Sequence, residues 1–316
     1  MKVLITGGAG FIGSHLAQAL CRDGAEVLVL DDLSEGSPAN LAWRKGGDKL
    51  EMIEGNVADE NLLRKILPGC EFVFHQAAIT SVPKSVESPL ASHAVNLDAS
   101  LRLLIAAREA RVKRFLFASS SAIYGDNETS PKHESLPART LSPYALQKFT
   151  VEKYAQIFHQ LYGLETVCLR YFNVFGPRQS FQSPYSGVIA RFCIGMIQGQ
   201  APTVYGDGRQ SRDFTFVENV VAANLVAARA PAANVAGRVF NVGSGESVSL
   251  LQLIEELNQL TGQALRPRFE PARPGDVLHS CADNTALREL GLPEMVSRRE
   301  GLRQTLDWYR ESGKGR

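Results

Sequence analysis

A chain of 316 residues with 44% hydrophobic content is long enough for one large domain or two modest ones, with a full core. Its net charge of +1 gives no electrostatic case for a nucleic-acid or anionic-membrane partner, and no apolar run approaches the roughly 18 residues of a membrane span. Five scattered cysteines without a C-x-x-C pair, and six histidines without ligand spacing, exclude a disulfide framework and a metal site and suit reduced residues in a cytoplasmic protein.

The chain opens MKVLITGGAGFIGSHLAQAL and goes directly into a strand at residues 2–6, with no basic segment or cleavage site of a signal peptide. Gly7, Gly8, Gly10 and Gly13 follow, then a helix with Leu16, Ala17 and Leu20 at helical spacing. Strand, glycine loop and helix form the context that a dinucleotide fingerprint requires. The glycines let the backbone approach a pyrophosphate, and the helix N-terminus offers it free N–H groups and a partial positive charge. A second strand at 26–30 ends at Asp31, 18 residues beyond Gly13, where an acid accepts hydrogen bonds from the adenosine ribose. The chain then reads DDLSEG. A carboxylate without a following arginine disfavours a 2′-phosphate, so the pattern predicts NAD rather than NADP.

Strand-like runs recur at 52–57, 72–75, 114–118 and 166–170, with helices near 60–67, 91–110 and 144–162 between them. This alternation predicts an α/β fold with a Rossmann-like, doubly wound parallel sheet. Ligands of such sheets bind at the carboxyl ends of the strands. The glycine loop, Asp31, Ala77-Ala78 and the triplet Ser119-Ser120-Ser121 all fall at strand ends, so one edge collects them. His75, within FVFHQAA, reads as a packed residue rather than a ligand.

The last of these helices carries Tyr144 and Lys148, four residues apart on one face. A phenol with a pKa of about 10 becomes a base near neutrality only if a nearby charge or hydrogen bond holds its phenolate. By itself this spacing is equally that of a surface tyrosine beside a solvated lysine. A nucleotide-binding N-terminus gives the pair a hydride acceptor to work with.

Beyond Phe172 the character changes. Residues 174–214 are rich in Gly, Pro, Gln, Ser and Tyr, with one helix near 187–198; 215–262 return to helix and strand; 263–300 carry RPRFEPARPGD and a last amphipathic helix. The expected division is an NAD-binding domain over 1–173 plus about 215–262, and a smaller C-terminal α/β substrate-binding domain over about 174–214 plus 263–316. No internal repeat or low-complexity tract is visible.

Together TGGAGFIG, the Asp31 strand end, HQAA, FASSSAIYG, SPYALQK, RYFNVFGPRQ, SRDF and RPGD resemble the extended short-chain dehydrogenase/reductase superfamily, and within it the NAD-dependent nucleotide-sugar epimerases and dehydratases. The resemblance covers nearly the whole chain. It implies Ser120, four residues before Tyr124-Gly125, as the catalytic hydroxyl, with a register uncertainty of one residue in the triplet. It implies Tyr144 as general base and Lys148 on the nicotinamide ribose, lowering the tyrosine pKa. It places NAD against Gly7, Gly10, Phe11, Ile12 and Gly13, against Asp31, Asp32, Leu33, Ser34 and Gly36, and against Asn56, Val57, Gln76, Ala77, Ala78, Asn96 and Tyr171. It places a UDP-sugar against Ser81, Val82, Asn173, Val188, Tyr205, Gln210, Arg212, Arg273, Asp276 and Ser280, besides Ser120 and Tyr144. Guanidinium forks match diphosphate oxygens, although either arginine could equally serve a surface salt bridge. Two positions depart from the pattern: Asn56 stands where many relatives have aspartate, and Thr80 where some galactose-type enzymes carry a lysine.

Within the superfamily, 4,6-dehydratases carry an Asp-Glu pair after the catalytic hydroxyl, and UDP-glucuronate decarboxylases a glutamate two residues on. Ser121 and Ala122 stand here. The resemblance therefore implies a 4-epimerase working through a 4-keto sugar. A serine rather than a tyrosine at 280 leaves room for an N-acetyl group, and SVPKS at 81–85 resembles the enzymes that take UDP-N-acetylhexosamines. The expected reaction is UDP-GlcNAc/UDP-GalNAc interconversion, with UDP-glucose/UDP-galactose as a lesser activity. The alternatives are an enzyme restricted to non-acetylated sugars, a UDP-glucuronate epimerase or decarboxylase, and a non-enzymatic NAD-binding scaffold. The last is disfavoured because both Tyr144 and Lys148 remain. Helices 91–110 and 144–162 imply, by the same resemblance, a homodimer.

Overall fold

The computed structural model of the chain describes residues 1–180, 187–272 and 278–312. Arg273 and Asp276 lie outside the described residues.

The first half alternates β1 (Lys2–Thr6), α1 (Phe11–Arg22), β2 (Glu26–Asp31), β3 (Leu50–Glu54), α2 (Glu60–Ile66), β4 (Phe72–His75), α3 (Val82–Glu87), α4 (Pro89–His93), α5 (Ala99–Glu109), β5 (Arg114–Ser120), α6 (Pro143–Tyr162) and β6 (Glu165–Tyr171). The strands pair in parallel in the order β6-β5-β4-β1-β2-β3. They are apolar on both sides, as VLIT and EVLVL are, because helices cover both faces. One face packs on α1, the other on α2, α5 and α6. The strand order reverses between β1 and β4, which opens a crevice at their carboxyl ends.

The elements fall close to the expected positions. The strand expected at 52–57 is β3 at 50–54; Asn56 begins a turn instead, its Oδ1 accepting from the Ala58 N–H at 2.8 Å. The expected helix 91–110 starts at Pro89 and passes through a π-helical turn at Ala94–Asp98.

The second half has β7 (Val174–Phe175), α7 (Val188–Ile197), β8 (Thr203–Tyr205), β9 (Ser211–Asp213), β10 (Thr215–Phe216), α8 (Val217–Arg229), α9 (Ala232–Val235), β11 (Arg238–Val242), β12 (Ser247–Ser249), α10 (Leu250–Thr261), β13 (Arg268–Glu270), α11 (Thr285–Arg288) and α12 (Arg298–Glu311). β11 adds to β6 in parallel and completes a seven-stranded sheet, while α8 packs against α1. The remaining strands form two-stranded pairs, β10 with β7, β12 with β9 and β13 with β8.

The segment expected to return to the nucleotide-binding domain, about 215–262, divides between two clusters. α8 and β11 bury Val220, Ala227 and Phe240 with the sheet. α10 buries Leu253, Ile254 and Leu257 with α7 and α12, in a separate apolar cluster around Phe192 and Phe216. The last amphipathic helix, expected before residue 300, is α12, whose Leu302, Leu306 and Tyr309 complete that cluster. Among the described residues no helix is long and apolar enough to cross a membrane.

Candidate active site

A cleft of about 1220 Å³ runs along the carboxyl edge of the sheet and is closed on its far side by the second half of the chain. Gly7, Gly10, Phe11, Ile12, Gly13, Asp31, Asp32, Ser34, Gly36, Asn56, Val57, Gln76, Ala77, Ala78, Lys148 and Tyr171 line it, as do Ser81, Val82, Ser120, Tyr144, Asn173, Arg212 and Ser280.

The glycine loop is tight for a physical reason. Gly7 has φ +67°, and a Cβ there would lie 2.7 Å from the Ala77 nitrogen on the neighbouring strand end. A Cβ on Gly13 would lie 2.2 Å from the Gly7 carbonyl oxygen. Only glycine allows α1 to start this close to β1. The N-cap, Gly10, makes no side-chain cap bond, so the first N–H groups of α1 are left for an anion in the cleft. At the end of β2, Asp31 is buried; Oδ2 accepts from the Ala9 N–H and Oδ1 from the Leu33 N–H, both at 2.9 Å. Burial pushes its carboxyl above the usual range, and these backbone bonds oppose the shift. Each oxygen keeps a lone pair for a ribose hydroxyl. Open helix end, glycine cradle and strand-end carboxylate together fit a dinucleotide.

The first turn of α6 begins at the N-cap Ser142, whose Oγ accepts from the Ala145 N–H at 3.2 Å, with Pro143 at the first helical position. Ser85 reinforces it: its Oγ accepts from the Tyr144 N–H at 3.2 Å. Tyr144 and Lys148 are both buried. Lys148 Nζ donates to the Ala118 carbonyl at 2.8 Å and lies 4.7 Å from the Phe117 ring centre and 5.9 Å from that of Tyr144.

The serine triplet separates by direction. Ser119 Oγ is engaged by donating to Glu152 Oε1 at 2.5 Å, although the residue also lines the cleft. Glu152 also takes both sides of the Arg170 fork, at 2.9 and 2.7 Å. Ser120 faces Tyr144, and its hydrogen bond opposes the upward push that burial gives the phenol. Ser121 lines the cleft as well. The expectation that Lys148 draws the tyrosine pKa down is not met in the protein alone. Burial acts on both groups, raising Tyr144 and lowering Lys148 to about 7, because each charged form loses its hydration.

Several expected positions lie elsewhere. Asn96 is not on the cleft wall. In the π turn, its Nδ2 donates to the Ile79 carbonyl at 3.0 Å and to Gln147 Oε1 at 2.9 Å, and its Oδ1 accepts from the Ile79 N–H at 2.8 Å. It holds the 77–80 loop, which does line the cleft. Leu33 turns away at φ +59°, only its N–H engaging Asp31. Val188 packs on the α7 cluster. Gln210 and Tyr205 meet each other rather than the cleft, the Gln210 Nε2 donating to the Tyr205 carbonyl at 2.6 Å. Residues the sequence did not single out also form the wall, among them Lys84, Glu35, Lys132 and Gln179. Lys84 and Glu35 form an ion pair between α3 and the loop after β2; the SVPKS run carried one partner, but nothing in the sequence marked the other.

The chain matches the NAD dependent epimerase/dehydratase family over residues 3–243. It is 38% identical over 315 residues to a UDP-glucose 4-epimerase of Mycolicibacterium smegmatis, covering 98% of this chain and 99% of that protein. Among solved structures, the UDP-N-acetylglucosamine 4-epimerase of Methanobrevibacter ruminantium in complex with UDP-N-acetylmuramic acid superposes with a TM-score of 0.93 at 40% identity, covering 98% of each chain. The UDP-glucose 4-epimerase of Thermotoga maritima with UDP-glucose gives 0.92 at 38% identity, covering 99% of each chain.

Proposed function

Because this chain belongs to the NAD dependent epimerase/dehydratase family, we propose that it is a UDP-hexose 4-epimerase that interconverts UDP-GlcNAc and UDP-GalNAc through a 4-keto sugar. One observation carries the reaction type. Among the described residues, the carboxylates lining the cleft are Asp31, Asp32 and Glu35, all at the end of β2 or in the loop after it, whereas Ser120 is followed by Ser121 and Ala122. Elimination of water needs an additional acid and base beside the sugar, and no described side chain at the Ser120–Tyr144 end supplies them. Oxidation at C4 and return of the hydride need, besides Ser120 and Tyr144, only a hydride acceptor, which a bound NAD would supply.

In this reading Tyr144 takes the proton of the C4 hydroxyl while Ser120 hydrogen-bonds the same oxygen. NAD, which the glycine loop and Asp31 would hold, would supply the hydride acceptor and a positive charge. Bringing a phenol from about 10 to near neutrality corresponds to roughly 4 kcal/mol of differential stabilisation. Ser120 contributes a hydrogen bond to it and Lys148 a charge 5.9 Å from the ring. Asn173 and Arg212 on the opposite wall suit the diphosphate.

For the sugar, the relatives point two ways: one solved structure is named for the N-acetylated substrate and others for UDP-glucose. Ser280 on the cleft wall supports the larger sugar. The test is incubation of the purified protein with UDP-GlcNAc and no added NAD, followed by NMR. UDP-GalNAc should form, and Ser280→Tyr should abolish this activity while sparing UDP-glucose. Equal loss on both sugars removes the role of Ser280, and no turnover of either sugar removes the epimerase reading.

We also propose a homodimer through α5 and α6, which leave Ile105, Leu146, Ile157 and Leu161 exposed. Sedimentation at the monomer mass would dismiss it.

A further inference from the structure

The wall opposite the sheet converges on one carboxylate. Asp213 ends β9 and is fully buried. Its Oδ1 accepts from the Ser244 N–H at 2.8 Å and the Ser244 hydroxyl at 2.7 Å; its Oδ2 accepts from the Gly245 N–H and the Ala282 N–H, each at 3.0 Å. Thr215 Oγ1 lies at 3.5 Å from Oδ1. The Asp213 carbonyl accepts from Asn173 Nδ2 at 3.0 Å. One residue thus ties the loop after β11, the segment at 282 and the turn after β6 to β9. The loop is packed directly on it: a Cβ at Gly243 would lie 2.7 Å from Oδ2.

The groups on either side of these bonds line the cleft. Arg212 precedes Asp213, and its Nη1 donates to the Leu278 carbonyl at 3.2 Å. Ser280 precedes Ala282 by two residues, and its N–H donates to the Ser211 carbonyl at 3.1 Å. Asn173 reaches the cleft from the other side. These three come from separate parts of the chain. Backbone bonds join Ser211 to Leu278 and Ser280, and Thr215 to Asn173, and the Asp213 carboxylate adds the tie from β9 to the 244–245 loop and to residue 282. Hydrogen bonds to a buried carboxylate are short and strong, so several on one residue set geometry as well as stability.

We propose that Asp213 is the positioning residue of the UDP-sugar wall, its carboxylate fixing Arg212 and Ser280 relative to one another, while Asn173 is tied to its backbone carbonyl. This rests on the reading of that wall as the UDP-sugar site. An amide at 213 would turn an NH2 toward N–H donors that now meet a carboxylate oxygen, and at least one segment would be released.

The test compares wild type, Asp213→Asn and the milder Ser244→Ala, which removes one hydroxyl donor and keeps the backbone donors. UDP binding is measured by calorimetry, KM and kcat on the UDP-sugar by initial rates, and NAD content by absorbance after denaturation. For Asp213→Asn, UDP binding should weaken and KM rise by about tenfold or more, the scale of a lost charge-assisted hydrogen bond, with kcat within about twofold and NAD content unchanged. Ser244→Ala should move in the same direction by a smaller factor and decides the matter if Asp213→Asn does not fold. Wild-type UDP affinity in the folded variants overturns the proposal, as does a fall in kcat and NAD content alongside KM, the mark of general loosening. A wild-type protein that binds no UDP removes the assignment of the wall and the proposal with it.

Discussion

At the carboxyl edge of the seven-stranded sheet, each cleft residue is placed by the strand it follows. Gly7 follows β1, Asp31 ends β2, Gln76 and Ala77 follow β4 and Ser120 ends β5. Parallel pairing in register fixes their separations before any side-chain contact forms. Across the cleft, Asn173, Arg212 and Ser280 stand on strands of two or three residues or on connecting segments. There short strand pairs and backbone bonds are joined by a buried side chain, Asp213, whose carboxylate gathers three segments. The first wall therefore suits a ligand held by backbone groups and helix ends, which every substrate shares. The second suits recognition that varies with the substrate, because single side chains set it. Tyr144 and Lys148 stand on α6, which packs on β5 and β6 beneath and on α3, α4 and α5 beside it.

The Tyr144 turn of α6 gives the largest expected effect. Tyr144→Phe removes one oxygen and leaves both walls intact. Its kcat should fall by about a thousandfold, within the range for a lost general base, with NAD content and thermal midpoint close to wild type. Near-wild-type turnover would break the assignment of Tyr144 as base. Next comes the sheet wall. Gly13→Ala places a methyl group 2.2 Å from a backbone oxygen that cannot swing aside. The start of α1 must shift, at a cost of about 3 kcal/mol, and NAD should be lost on purification. Retained NAD with an unchanged melting temperature would show that the loop is looser than its geometry, and that the two walls differ less than their construction implies.

The same contrast explains what was legible in the sequence. The fold of the first half, the cofactor cradle and the Tyr144–Lys148 turn could be read because they depend on local patterns: strand, glycine loop, helix, and a spacing of four. Boundaries moved by two or three residues where a side chain such as Asn56 started a turn. The direction of Ser119 in the triplet could not be read, since it depends on Glu152, 33 residues away, and on the buried pair that Glu152 makes with Arg170. Asn96 was expected on the cofactor, yet a π turn rotates it onto Ile79 and Gln147. In the second half, Val188, Tyr205 and Gln210 were expected on the cleft and are not among its described lining residues, whereas Asp213, inside the SRDF run, was given no role. No periodicity marks a residue whose partners lie at 244, 245 and 282.

The smallest expected effect sharpens the contrast most. Arg212 lines the second wall, and its backbone is held through Asp213, so replacing its side chain should leave the wall standing. Arg212→Ala should raise KM for the UDP-sugar by roughly tenfold to a hundredfold, the range for a lost hydrogen bond to a charged group. Since the diphosphate is held alike in the ground state and the transition state, kcat should change little. Arg212→Lys should recover part of the affinity, because an ammonium supplies charge without the two-pronged geometry of a guanidinium. Initial rates over a range of UDP-sugar concentrations, read beside NAD content, separate the possibilities. If kcat falls more than KM rises, Arg212 acts on the reacting sugar and the two walls share the chemistry. If NAD is lost, the walls are mechanically coupled across the cleft, and the second wall is part of the cofactor site.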